Sequence, residues 1–153
     1  MGNICTLFQT QKLTIDSHNL NELNRLRLYK NLKVLDCGYI NINKLDNLPQ
    51  SLTTLDCSCN KITRFDNLPK TLKILDCSDN KIVQLDNLPQ SLEILYCRNN
   101  KIVQLDNLPQ TLIELYCSNN LIVRVDNLPQ SLKILSCCDN NITQLDNLPQ
   151  SLI

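Results

Sequence analysis

The chain has 153 residues, a formal net charge of zero and 42% hydrophobic residues, with nine cysteines and only two glycines. This length suffices for one domain with a continuous core. A neutral chain without runs of Lys or Arg argues against nucleic acid as a partner. No apolar stretch approaches the roughly 20 residues that span a bilayer, and the N-terminus lacks the apolar segment of a secretory signal. We therefore expect a cytoplasmic protein.

The N-terminal segment, residues 1–10, is interpreted as a tail with two candidate lipid-attachment sites. Its first six residues match the pattern for myristoylation of Gly2, and Cys5 is placed for a second acyl chain. One myristoyl chain binds membranes only marginally, so stable attachment needs both signals. Such short patterns also arise by chance, and an unmodified tail is the alternative. Acylation would make the protein membrane-associated.

Residues 11–30 are interpreted as a divergent repeat that caps the N-terminal end. Leu13 and Ile15 alternate with polar residues, as in a strand. Asn19 is followed three residues later by Glu22, a spacing that resembles a capping box and predicts a helix. The apolar residues of that helix, two of which align with core positions of later repeats, are Leu20, Leu23 and Leu26.

The single histidine, His18, aligns with Asn60 of a later repeat. We interpret it as a structural or exposed residue of the cap, because no second group has the defined geometry that a catalytic base requires. The sequence contains no Gly-rich phosphate loop, no Cys/His arrangement with a placed partner and no metal-ligand spacing. We therefore predict no enzymatic activity, no cofactor and no bound metal.

Six units of 20 residues follow over 31–150, and 151–153 begin another. A fixed period of this length is typical of a solenoid, in which each unit buries its apolar side against its neighbours. The alternating segment 54–58 predicts a strand, with Leu55 and Cys57 pointing inward. The proline of each Asp-Asn-Leu-Pro segment disfavours a helix on the opposite, convex side. Extended, polyproline-like chain is expected there.

Two polar features recur in these units. Asn60 and its equivalents are predicted to bond loop backbone and to stack in a ladder. That ladder should end or be distorted at Ile40, which occupies the asparagine position of the first regular unit. The repeated Asp-Asn pairs are expected to bond their own backbone at turns, a purely structural role.

Cysteines recur once per unit at an inward position of the strand. Parallel, in-register thiols point in the same direction rather than at each other, so we predict free thiols that act as small hydrophobic side chains. A line of thiols also differs from the tetrahedron that zinc requires. Cys5, Cys59 and Cys138 lie outside this column and are expected to be ordinary surface thiols.

The pattern L-x-x-L-x-C-x-x-N-x-I-x-x-L-D-N-L-P-x-S/T-L resembles a leucine-rich repeat. It is found in 72–92, 92–112 and 132–152, and with Phe65 or Val125 for one leucine in 52–72 and 112–132. Its length and Leu-Pro pair resemble the short bacterial effector type, as in YopM. The Asp-Asn-Leu-Pro segment and the cysteine resemble repeat proteins of giant amoebal viruses more closely, which would imply a location in the host cytoplasm. The resemblance covers 31–153 and implies a leucine-rich-repeat solenoid with little helix.

Outward side chains of the strands differ between units while the core positions do not. Repeat proteins present extended concave surfaces, so we expect a protein partner to bind on this side. The candidate contact residues are Val34, Asp36, Thr54, Asp56, Ile74, Asp76, Ile94, Tyr96, Arg98, Glu114, Tyr116 and Ile134.

Three of these residues, Asp36, Asp56 and Asp76, would stack at neighbouring strand positions, where like charges repel. The stack favours a partner with a basic segment. Duplication of a solvated face explains the same stack equally well, and a flat row of carboxylates offers too few converging oxygens for calcium.

We predict a non-enzymatic protein-interaction module. One alternative is a lipid-anchored membrane adaptor that uses Gly2 and Cys5. Another is a structural element that self-associates end to end through its poorly covered last unit, near Leu135, Cys137 and Ile142.

Overall fold

The computed structural model describes residues 9–153, which form one seven-stranded parallel sheet. The strands lie in chain order: β1 (Lys12–Thr14), β2 (Val34–Asp36), β3 (Thr54–Asp56), β4 (Ile74–Asp76), β5 (Ile94–Tyr96), β6 (Glu114–Tyr116) and β7 (Ile134–Ser136). A 3₁₀ helix, Leu20–Leu28, lies between β1 and β2. The predicted parallel-strand solenoid with little helix is confirmed. In the part of the chain described, no helix is both long and apolar enough to cross a membrane.

Leucine and cysteine side chains form two buried columns behind the sheet. In β2 to β6 the central leucine is buried between two half-buried neighbours, because side chains alternate across a strand. Leu55 is fully buried and pairs in register with Leu35 and Leu75. The cysteines two residues further on are buried from Cys37 to Cys117. The predicted inward columns are therefore correct.

A column of asparagines ties each repeat to the one before it. The Asn80 Nδ2 donates to the carbonyl oxygens of Cys57 and Cys77 at 3.0 and 3.1 Å. It also donates to the Ser78 carbonyl at 3.0 Å, while the Asn80 Oδ1 accepts the backbone N–H of Ile62 at 2.9 Å. Equivalent bonds form at Asn60, Asn100, Asn120 and Asn140. The side chains thus join repeats through the backbone rather than by bonding one another.

A ladder of hydroxyl groups, which sequence reasoning missed, lies just before the strands, whereas the asparagine ladder follows them. The Thr71 Oγ1 lies 2.8 Å from the carbonyl oxygen of Gln50 and 2.7 Å from that of Leu52. The same pair of contacts recurs at Ser91, Thr111, Ser131 and Ser151. These hydroxyls satisfy backbone carbonyls that have no strand partner there. A Ser or Thr after every Pro-Gln or Pro-Lys pair was the available signal.

The Asp-Asn pairs shape the turns that precede the hydroxyl ladder, but in a different way from the one expected. Five of the asparagines adopt left-handed backbone angles, with φ between 54° and 58°, a conformation that asparagine tolerates well: Asn47, Asn87, Asn107, Asn127 and Asn147. Several of the aspartates pair instead with cations two residues earlier, as in Lys44–Asp46 and Arg64–Asp66. Within residues 9–153 the expected side-chain bonds to local backbone are not formed by these pairs. Their role is structural, but through the turn conformation.

The first unit departs from the predicted helix cap. Leu20 is 41% exposed, and Leu26 fills the core. Asn19 makes no capping bond to the helix; its side chain binds Thr14 and Asp16 backbone instead. The capping-box prediction is therefore wrong, because the segment winds as a 3₁₀ helix and the Glu22 side chain, although in the first turn, bonds elsewhere.

Glu22 belongs to a small polar cluster under the first unit. It accepts hydrogen bonds from Arg25 at 2.7 Å and from the Tyr29 hydroxyl at 2.5 Å. Burial, followed by the Glu22 hydrogen bond, raises the pKa of Tyr29 to about 12.

His18 is exposed, with 89% of its side chain accessible.

Coverage of the core changes at both ends of the regular units. The asparagine ladder begins at Asn60, as predicted, because the equivalent position holds the buried, apolar Ile40. At the last unit the core side chains are only partly buried, as expected from sequence: Leu135, Cys137 and Ile142.

Candidate functional site

The outward side chains of β2 to β7, together with the residue two positions after each strand, form what we call the strand face. In-register pairing brings Val34 beside Thr54 and Asp36 beside Asp56, and the same offset continues to β7. The predicted contact residues therefore share one surface, and most of them are half-buried. They lie in three columns: the first is Val34, Thr54, Ile74, Ile94, Glu114 and Ile134; the second is Asp36, Asp56, Asp76, Tyr96, Tyr116 and Ser136; the third contains Arg98.

Three carboxylates occupy the N-terminal half of the strand face. Asp36 pairs with Asp56, and Asp56 with Asp76, as direct cross-strand neighbours. The Asp56 Oδ1 accepts the backbone N–H of Ser58 at 2.9 Å and its hydroxyl at 2.7 Å; the Asp76 Oδ1 accepts the N–H of Ser78 at 2.9 Å. These bonds hold the carboxylates in place and use one oxygen of each. The arrangement suits a cationic group better than an anionic one.

Two aromatic rings continue the acidic column. Tyr96 and Tyr116 stack with ring centroids 4.7 Å apart and planes inclined by 11°. The Tyr116 hydroxyl donates to Glu114 Oε2 at 2.9 Å, and this hydrogen bond raises the Tyr116 pKa. The aliphatic side chains Ile74 and Ile94 lie in the neighbouring column. Aromatic and aliphatic side chains beside charges are common at protein interfaces.

Asp79 joins the candidate site, although sequence reasoning did not select it. Its carboxylate lies 4.0 Å from Arg98 Nε and accepts a 2.8 Å hydrogen bond from the Asn99 amide. Asp79 and Asn99 both have left-handed backbone angles, with φ of 55° and 53°. Recurrence of Asp or Asn just before the ladder asparagine was the signal for this strained turn.

A second surface, which we call the lateral face, follows the asparagine ladder. It consists of exposed side chains that alternate with buried isoleucines such as Ile82 and Ile102. Sequence reasoning missed this face. The available signal was the recurrence of lysine at the same position of three successive units. The members of this face are Lys61, Lys81, Lys101 and Leu121 in one column and Thr63, Val83, Val103 and Val123 in the next.

The eight cysteines within residues 9–153 are free thiols. The thiols of Cys37, Cys57 and Cys77 each donate to a backbone carbonyl of the next strand at 3.3 Å. Burial raises the pKa of Cys37 and Cys117 to about 12 and raises that of Cys77 still further. Cys138 is exposed. The column therefore consists of protonated thiols at neutral pH.

These buried thiols predict a loss of stability in alkali. An unfolded cysteine ionises near pH 8.5, whereas folded Cys37 and Cys117 hold their protons to about pH 12. Their contribution to stability should be complete below about pH 8.5 and should decline as the pH rises toward 12. Urea titrations between pH 7 and 10.5 measure this slope. The slope of stability against pH should become less steep in Cys117→Ala, which removes one buried thiol, and should be unchanged in Cys138→Ala. Equal slopes in both variants would refute the assignment.

No group of three or more His, Cys, Asp or Glu side chains in the described part of the chain is arranged to hold a metal ion. The proposed acylation sites, Gly2 and Cys5, lie outside the described residues. Attachment of lipid at these two positions stays a prediction.

Comparison with known proteins supports the repeat pattern. A family model described as leucine-rich repeats, two copies, matches residues 50–90. No curated protein sequence matches the chain significantly. The resemblance to repeat proteins of giant amoebal viruses stays a prediction.

Solved structures of bacterial proteins superpose on most of the chain. A Shigella effector leucine-rich-repeat domain is 27% identical, with a TM-score of 0.79 over 92% of this chain and 64% of that domain. YopM from Yersinia pestis is 30% identical, with a TM-score of 0.69 over 83% of this chain and 42% of YopM. The functional domain of InlJ from Listeria monocytogenes, which includes a cysteine ladder, is 29% identical, with a TM-score of 0.65 over 99% of this chain and 40% of that domain.

The chain thus spans less than two thirds of the length of each of these structures. The neighbours include bacterial effectors, as the repeat length and the Leu-Pro pair indicated. Solenoids of this type are typically non-catalytic interaction scaffolds. The chain is therefore a parallel-strand solenoid with a leucine-rich-repeat fold, similar to the repeat domains of bacterial effector proteins.

Proposed function

We propose that this chain is a non-enzymatic protein-interaction module that binds its partner on the strand face, the concave side of the solenoid. The observation that carries the proposal is the contrast between a uniform core and a varied outer surface on the same strands. The central leucine repeats from β2 to β7, while its neighbours change from valine to glutamate and from aspartate to tyrosine. Stability alone would not require this variation.

The proposed partner carries a basic segment next to apolar side chains. Asp36, Asp56 and Asp76 gather negative charge at one half of the strand face, where a cationic side chain would relieve their mutual repulsion. Ile74 and the Tyr96 ring adjoin this charge and would contact the apolar part of the segment. Tyrosine and arginine are frequent energetic anchors in interfaces.

Binding of a fluorescent lysine–leucine repeat peptide tests this proposal. Asp56→Lys combined with Asp76→Lys should weaken binding by at least about tenfold, because attraction becomes repulsion across the interface. The fold should survive, since both side chains are only half-buried. Fluorescence anisotropy at several salt concentrations gives the affinity, and thermal melting reports on folding.

The matched control is Asp86→Lys combined with Asp106→Lys, which makes the same charge change at exposed positions away from the strand face. It should leave peptide affinity within about twofold of the starting protein, because exposed charges beyond a Debye length are screened. Equal losses in both double variants, or no loss in either, would mean that the strand face is not the binding surface.

A further inference from the structure

We propose that the strand face of one copy of this chain binds the lateral face of a second copy, with the two solenoid axes parallel and displaced by one repeat. The proposal rests on the strand face being a binding surface and names a partner for it. The basic segment would then be supplied by the stacked lysines Lys61, Lys81 and Lys101.

The three lysines form an unneutralised row. All are exposed, and none makes an ion pair with any other residue from 9 to 153. The Lys81 backbone N–H donates to Ile62, and that of Lys101 donates to Ile82, each at 2.9 Å. These bonds hold neighbouring lysines about one strand spacing, ~4.8 Å, apart. The carboxylates of the strand face have the same spacing, since they belong to paired strands.

The order of side chains also matches along the two surfaces. Three lysines are followed by Leu121 on the lateral face, and three aspartates are followed by Tyr96 on the strand face. A displacement of one repeat therefore sets Lys61 against Asp36 and Leu121 against Tyr96. The other two lysines meet the other two aspartates in the same alignment.

The neighbouring columns match under the same displacement. On the lateral face they present Val103 and Val123, which are 38% and 41% exposed. On the strand face the corresponding side chains are Ile74 and Ile94, both half-buried. Valine thus meets isoleucine in two successive repeats, which would bury apolar surface beside the ion pairs. Apolar contacts bordered by polar and charged side chains match the core and rim of known interfaces.

Solenoid geometry allows both columns to match at once. Three directions can be drawn at any point of a coil: along the chain, along the stack of repeats, and outward from the surface. The handedness of this set of directions is the same at every point of the coil. Two copies that face each other with parallel axes therefore run their chains in opposite directions. On each face the two columns are separated by two residues of the chain, a distance of about 6.6 Å if the chain is extended. The lysine column then faces the aspartate column, and the valine column faces the isoleucine column.

Such a contact is heterologous, because it joins two different surfaces. After two copies bind, one keeps a free strand face and the other a free lateral face, so association continues into open chains unless a rotation closes them into a ring. The contact also depends on charge and should weaken with salt.

Sedimentation velocity over a range of protein and salt concentrations tests the proposal. The unsubstituted chain should form larger species as its concentration rises, and fewer at high salt. K61E/K81E/K101E should stay monomeric, as should D36K/D56K/D76K, because each variant presents like charges to itself. Both should need at least about tenfold higher concentration to associate.

Mixing the two variants supplies the decisive result. Each strand face then meets a lateral face of opposite charge, so an equimolar mixture should associate again. The matched control, R27E/K30E/K70E, changes as much charge at exposed positions away from both surfaces and should behave as the starting protein. A monomeric unsubstituted chain, or a mixture that does not associate, would overturn the proposal.

The two proposals fail in different ways. K61E/K81E/K101E keeps the aspartates of the strand face, so it should still bind the lysine–leucine peptide. If that variant binds peptide while the unsubstituted chain never self-associates, the proposed second copy is wrong and the strand face remains a binding surface. If the variant does not bind peptide and mixed variants still associate, the basic-peptide proposal fails instead.

Discussion

Leu95→Ala is expected to lower the free energy of unfolding by about 2–5 kcal/mol, as other buried leucine truncations do. Leu95 is fully buried and pairs in register with Leu75 and Leu115 in the middle of the solenoid. Alanine would leave a cavity that the flanking repeats cannot close without breaking strand register. Urea unfolding followed by circular dichroism measures the loss.

Val103→Ala is the control for this prediction, because Val103 lies on the lateral face and is 38% exposed. Its substitution should change stability by less than about 1 kcal/mol, since little of its surface returns to water. A Leu95→Ala variant as stable as Val103→Ala would contradict the assignment of the leucine column to the core.

Asn80→Ala is expected to cost about 2–3 kcal/mol, because one buried N–H loses its acceptor and three carbonyls each lose one of two donors. Its removal leaves the buried N–H of Ile62 without an acceptor, while the carbonyls of Cys57 and Cys77 each keep a second asparagine donor. Each unsatisfied buried group costs roughly 1–3 kcal/mol. The loss falls between two repeats, so unfolding should also become less cooperative.

Chemical denaturation followed by two probes measures both effects. Asn21→Ala provides the comparison, because Asn21 is exposed on the 3₁₀ helix. The Asn21→Ala substitution should leave the free energy of unfolding almost unchanged. If Asn80→Ala were equally neutral, the ladder would not contribute to joining the repeats.

The repeat period made the core predictable. Leu55 and Cys57 alternate with polar residues, and 20-residue spacing brings every copy into the same column. The asparagine ladder was predictable for the same reason, including its start after Ile40. Such features depend only on local alternation and on translation from one unit to the next.

The first unit was less predictable because its geometry is not a translation of the others. Leu20 aligns with Ile62 in sequence, yet it is 41% exposed while Ile62 is buried. The 3₁₀ winding changes which residues share a face, and Leu26 takes the core position. Glu22 binds Arg25 and Tyr29 rather than the helix start, a choice made by tertiary contacts.

Binding surfaces were predictable only in part. The three aspartates on the strand face follow from the alternation of the strands. The lateral lysines follow from the turn after the asparagine ladder, whose direction the period alone does not specify. Asp79 was missed because its role depends on a left-handed turn that brings it to Arg98.

Chemical-shift mapping by nuclear magnetic resonance tests the central claim most directly. Titrating the lysine–leucine peptide into isotopically labelled protein should shift the resonances of Asp36, Asp56, Asp76 and Tyr96 and their strand neighbours. Shifts confined to exposed positions away from the strand face, such as Asp86 and Asp106, would contradict it.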